Sequence, residues 1–216
     1  MSVLTDNWPL LLEGFLTTIK VSIVALVLAL ALGTLIASLR AAPSTPLRAL
    51  GAAYVEFIRN IPLLVQIFFL YFGLPSIGIK LPAFACGVIG LGVYTGAFIA
   101  EAIRSGIISI PKGQFEAASA SGMSYAMAMR LVILPQAFRA VIPPLGNQTL
   151  NLIKNSSLVS TIAVTDIVHA ADSIGAQTFA YSTAYLGASI LYLVLTLPSA
   201  FGINALERRF AIKSVR

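Results

Sequence analysis

The chain has 216 residues; 58% are hydrophobic, only 10% are charged, and the mean hydropathy is +0.91. A soluble domain carries roughly 25% charged residues and about 45–50% apolar ones, so an ordinary soluble enzyme, a disordered chain and a disulfide-rich secreted domain are excluded. A single cysteine, Cys86, and a single histidine, His169, exclude an intrachain disulfide and a multi-histidine metal site, and the net charge of +6 has to be explained by where the charges fall.

A membrane-spanning helix needs about 20 largely apolar residues, because each rises ~1.5 Å against a ~30 Å hydrocarbon core. The first charge-free run is 21–39, and the span around it is expected at about 17–39. A signal peptide fits this run badly, since residues 1–15 carry Asp6 and Glu13 and neither Lys nor Arg. Trp8 before Pro9 reads as an interfacial anchor. The second span is expected at about 54–74 and the third at 82–103, joined by a hairpin turn around Gly73, Pro75, Gly78 and Pro82. Glu56 and Arg59, and likewise Glu101 and Arg104, have helical ion-pair spacing at the ends of these two spans. They read as interfacial anchors or as pairs that rearrange during transport. Cys86 reads as a small packing residue.

Residues 104–142 form the longest connection, and their charges keep them out of lipid. The turn at Pro111, Lys112 and Gly113 predicts a short helix, then a bend near Gly122 and a second helical piece, with Pro135 a stop or kink. Ala117, Ala118 and Ala120 would let another surface approach closely. The element is either an amphipathic helix on the membrane face or a docking element for a soluble partner. A fourth span is expected at about 143–165 and a fifth at 184–206. His169, near Asp166 and Asp172, falls in the connection between them and reads as a solvated loop residue or a contact with a partner.

With five spans and the N-terminus outside, eleven of the 14 Lys and Arg fall on the inner side, Lys20 and Lys80 fall outside, and Lys154 is left within the membrane. The positive-inside rule therefore predicts an N-out, C-in chain, and the +6 reflects that bias and not a nucleic-acid patch. The fold expected is an all-α integral membrane protein, one transmembrane domain over residues 1–216. Within the fourth span, Asn147, Asn151, Lys154 and Asn155 fall on one helical face. Such a face avoids lipid. It serves either as interhelical glue or as a hydrophilic lining near the midplane.

Glu116, Ala117 and Ala118, then Gly122, Val132, Leu134 and Pro135, have the spacing of the EAA loop of ABC importer permeases, with Val132 where Ile is usual. Arg59, Asn60, Ile61 and Pro62 in the second span, Glu101 to Ile107 in sequence, and Lys154, Asn155, Ser156 and Ser157 resemble polar amino-acid permeases over about residues 10–212; Asn60 stands where Gly is usual. The resemblance implies a permease subunit of a bacterial inner-membrane importer for polar amino acids. It implies a second permease, identical or paralogous, two cytoplasmic ATP-binding subunits and an external solute-binding protein. Glu116, Ala117, Ala118 and Gly122 would dock the ATPase. The chain has no phosphate-binding G-x-x-x-x-G-K-[ST] motif, no G-x-S-x-G and no H-E-x-x-H. No cofactor is therefore expected on this chain, ATP would be hydrolysed by a partner, and an enzyme is not expected. The competing class is a secondary transporter or channel subunit for small polar solutes. It would want a mid-span carboxylate and internal repeats, and neither is found.

Overall fold

A computed structural model describes residues 2–42 and 44–210, and all secondary structure among them is helical. After a short helix α1 (Ser2–Asp6), α2 runs over Trp8–Ala41. At ~1.5 Å per residue, its 34 residues are about 50 Å long, more than the hydrocarbon core requires. Both faces of α2 are apolar, so polarity does not choose which side packs. Size does. The buried seam is Leu11, Gly14, Thr18, Val21, Ala25, Ala29, Gly33 and Ala37, whereas Ile23, Val27, Leu30 and Leu35 point outward. Between apolar helices the gain comes from close van der Waals packing, which small residues permit. The seam meets α5 (Ala83–Ile108), the most buried of the long helices. A Cβ on Gly33 would lie 2.9 Å from the Gly96 carbonyl oxygen.

The second apolar stretch, expected as one span over 54–74, is broken. Helix α3 (Thr45–Asn60) and the helical run Leu63–Ile77, which opens with α4 (Leu63–Phe68), meet at 100°. The cause is Pro62. The residue before a proline avoids the helical region, and Ile61 is extended at φ −104, ψ 128. A break among apolar surroundings leaves carbonyls without partners. The Gln66 amide donates to two of them, Ile58 O at 2.9 Å and Ile61 O at 3.0 Å, and Asn60 Nδ2 donates to Glu56 O.

The next connection folds into α6 (Lys112–Ala120), a turn at Gly122 and a helical path from Tyr125 to Ile162. Within that path lie α7 (Tyr125–Ala128), a π turn over Met129–Ile133, α8 (Leu134–Asn155) and a 3-10 segment over Ser156–Ile162. The fourth apolar helix therefore begins well before Pro143. Pro143 and Pro144 sit inside α8, and Pro135 lies in its first turn without ending the helix. In the 3-10 segment the hydroxyls of Ser156, Ser157, Ser160 and Thr161 each donate to the carbonyl three residues back, so this polar run meets its hydrogen bonds locally.

The stretch 166–183, expected as a loop, contains α9 (Ile167–Thr178), and α10 (Tyr181–Phe210) closes the bundle. Asp166 caps α9, accepting from the His169 N–H at 2.9 Å. Helices α9 and α10 form a hairpin: Tyr192 meets Asp166, Tyr185 meets Asp172, and the Tyr181 ring lies over Gly175. Among the described residues, four helices are long and apolar enough to cross a membrane, and the bent α3/α4 pair makes a fifth span if counted as one. The main core gathers Val21, Ala25, Ile67, Leu91, Ile99 and Leu152, and a smaller one joins Leu11 to the α9–α10 hairpin.

Candidate functional site

Helix α6 starts after Pro111 and stops at Gly122, whose φ of +82 is strained for any residue with a Cβ. There the Met123 N–H donates to Ala118 O at 3.1 Å and the Gly122 N–H to Ser119 O at 3.0 Å, so the helix end is closed. Ser124 then caps α7 through the Met127 N–H. Of the four residues expected to dock a partner, Glu116, Ala117 and Gly122 are exposed. Ala118 is 6% exposed and faces the protein.

Three contacts fix α6 to the helix that follows. Ala118 packs inward, the Phe115 and Tyr125 rings meet edge-on at 5.5 Å, and Gln136 Nε2 donates to Gln114 Oε1 at 3.2 Å. A push on α6 therefore reaches the base of α8 through packed side chains. The two glutamines lie 22 residues apart, and nothing in the local pattern marks them as partners.

Along α8, Asn147, Asn151 and Lys154 are exposed and Asn155 is half-buried. None of the four has a side-chain hydrogen bond or ion pair among the described residues. The face is hydrophilic and open on the single subunit. It lies toward the C-terminal end of α8, with Lys154 in the last turn. Leu152 and Ile153 on the opposite side are buried.

A second polar site joins α2 to α5. Glu101 accepts from Arg104, as its spacing suggested, and also from Arg40 of α2, which sequence spacing could not suggest. Glu56 and Arg59 make no ion pair among the described residues. Instead the Arg59 guanidinium sits over the Phe98 ring, 4.9 Å from its centroid. Arg59, Phe98, Glu101, Ser105 and Gln148 line an open crevice of about 400 Å³.

The third site is buried. Asp166 is fully enclosed, and its carboxylate is shared between the α9 cap and the Tyr192 hydroxyl, 3.4 Å away. Beside it the Thr18 hydroxyl accepts from the Ile167 N–H at 3.2 Å. Burial pushes the Asp166 carboxyl up to about 6, against the pull of the His169 and Val168 N–H groups. The sequence places Asp166 in the connection between two spans; a capping acid ahead of Ile167 and Val168 is the signal for the helix it starts.

Long apolar helices around small-residue seams, a protruding helix–turn element and an open polar face on one helix define a membrane-embedded transport subunit. The chain belongs to the family described as binding-protein-dependent transport system inner membrane component, matched over residues 29–212, and it is a permease subunit of such a system. It is 49% identical over 209 residues to the probable glutamine ABC transporter permease protein GlnM of Bacillus subtilis (strain 168), covering 97% of both chains. It is 36% identical to the L-cystine transport system permease protein TcyB of the same organism, over 94% of this chain and 87% of that one. The crystal structure of an amino acid ABC transporter with histidines superposes with a TM-score of 0.91 at 37% identity, over 95% of this chain and 96% of that one.

Proposed function

We propose that this chain is the permease subunit of an ATP-driven importer of polar amino acids in a bacterial inner membrane, N-terminus outside and C-terminus inside. It pairs with a second permease subunit, identical or paralogous. The observation that carries the reading is the α6–Gly122 element, with Glu116 and Ala117 facing outward and its base tied to α8. Such an element is built to receive force from another protein and hand it to a helix that faces the pathway. Two cytoplasmic ATPase subunits dock there, bind the nucleotide and hydrolyse it. Ala118 acts from behind, as the spacer that seats α6 on the bundle.

Substrate arrives from an external solute-binding protein and passes between the two permeases. Asn147, Asn151, Lys154 and Asn155 line that route. An amino acid shedding water loses hydrogen bonds worth several kcal/mol if they are not replaced. Amides offer donors and acceptors, and the Lys154 ammonium offers a charge to the carboxylate. The names of the relatives, glutamine and L-cystine permeases, support the class of substrate.

The test is uptake in proteoliposomes holding both permeases, the ATPase and the solute-binding protein of the system. Glu116→Lys and Gly122→Arg are expected to insert normally and to abolish uptake. Gly122→Ala adds a Cβ in the left-handed region without bulk and separates backbone strain from steric block. Normal uptake by both disruptive variants refutes the docking assignment.

A further inference from the structure

Phe179, at the tip of the α9–α10 hairpin, is the most exposed large apolar side chain among the described residues, at 86%. Its backbone is left-handed, φ 56 and ψ 13. A glycine or asparagine adopts that conformation at a helix end with less strain. The chain instead places a large aromatic ring there and gives it no neighbour. Strain held at one exposed residue points to a use for its side chain. Ala163, the other non-glycine residue with positive φ among those described, has no such side chain to present.

The tip is rigid. The Tyr181 ring packs on Gly175, where a Cβ would come within 2.4 Å of it. Thr178 Oγ1 donates to Ile174 O at 2.7 Å and accepts from the Ala180 N–H at 3.3 Å, and Tyr185 donates to Asp172. These contacts fix the backbone on both sides of Phe179 before any partner arrives, which lowers the entropy lost on binding.

Depth decides between lipid and protein. An α-helix crosses the ~30 Å core in about 20 residues. Counted from Leu206, just before Glu207, Arg208 and Arg209, the far edge falls near Leu186. Tyr181 and Tyr185, both exposed, then lie in the interfacial belt. Phe179 stands roughly 10 Å further out, in water. Around it Ala176, Gln177 and Thr178 are exposed and uncharged, with no Lys or Arg to hold a lipid phosphate. An aromatic side chain presented from a fixed backbone within an uncharged rim suits a protein contact better than a lipid one.

We propose that Phe179 is this subunit's anchor for the external solute-binding protein, entering an apolar pocket on that protein when it docks. The inference rests on the importer reading above and names one contact within it.

The experiment uses the complete transporter in proteoliposomes with its solute-binding protein. p-Benzoylphenylalanine at position 179 keeps an aromatic side chain and marks its neighbour on illumination. An adduct with the binding protein is expected. Phe179→Gly relieves the backbone, so the thermal midpoint is expected to rise, on the order of 2–4 °C. The binding-protein concentration for half-maximal stimulation of ATP hydrolysis is expected to rise at least about fivefold, which is 1.4 kcal/mol per tenfold and so about 1 kcal/mol of docking energy. A merely structural role would not separate these two readouts. An adduct with the second permease or with lipid overturns the proposal, as does no adduct together with unchanged stimulation in Phe179→Gly. If the wild-type transporter is not stimulated by the binding protein at all, the importer reading fails first.

Discussion

Gly14→Ala is the most direct probe of how α2 is held to the α9–α10 hairpin. A Cβ at this position would lie 2.7 Å from the carbonyl oxygen of Asp166 and 3.1 Å from the Ile167 nitrogen. Both are backbone atoms at the start of α9, so no side chain can swing aside. Overpacking of this kind costs typically 1–3 kcal/mol. Separating the helices also stretches the Ile167 N–H to Thr18 bond, now 3.2 Å, for about 0.5–1.5 kcal/mol more. Against this stands the better helix propensity of alanine, about 1 kcal/mol. The expected net loss is about 1–3 kcal/mol, a fall of several degrees in thermal midpoint for a chain of this size. Gly202→Ala supplies the control: it lies inside α10 with nothing within 4 Å of the added Cβ, so only the propensity gain remains and the midpoint should hold or rise. The assay is loss of the monodisperse peak of detergent-solubilised protein after heating. A Gly14→Ala protein as stable as wild type, with Gly202→Ala behaving as expected, would refute the close approach.

Two further outcomes follow from the buried acid and the polar face. The folded Asp166 carboxyl, at about 6 against an ordinary 3.8, holds its proton more tightly than the unfolded chain does. Its stabilisation is therefore full below about pH 4 and is lost as pH rises through about 6; Asp166→Asn, measured by thermal midpoint across pH 4–7, should remove that part of the decline, and an unchanged slope would count against it. Asn155→Leu should cut amino-acid uptake about tenfold or more while the subunits still assemble and ATP hydrolysis persists, and wild-type uptake would return this face to a packing role.

The apolar helices were legible because a membrane imposes one loud constraint: length and lack of charge. What the chain does inside that constraint is quieter. The break at Ile61 and Pro62 was written in the proline, but a continuous apolar run masked it, since hydropathy does not register direction. The signal that the break is tolerated is Gln66, a polar residue four positions beyond Pro62 with no reason to be there unless carbonyls needed it. Helix α9 was missed for the opposite reason: it is short, and its acids and histidine read as solvent-exposed. Asp166 reads the same whether it is free in a loop or capping a helix, until the fold encloses it.

The site shows where local pattern stops. The helix, the Gly122 turn and the helical piece after it follow from residue spacing, because helix ends and bends are decided by neighbours within a few positions. The contacts that make this element useful are decided elsewhere. Gln114 finds Gln136, Phe115 finds Tyr125 and Arg40 finds Glu101 because two helices come to rest side by side. Pro143 and Pro144 illustrate the cost of reading punctuation alone. Read as the start of a span, they place Lys154 at its centre. Neighbouring helices and hydroxyls can absorb a proline in a membrane helix, so α8 runs on through both and Lys154 reaches its last turn. The functional weight of that lysine then rests on what it faces. With no partner within the described chain, its charge and the adjoining amides stand open on the single subunit, and uptake by Asn155→Leu decides between a lining for the proposed route and a packing face.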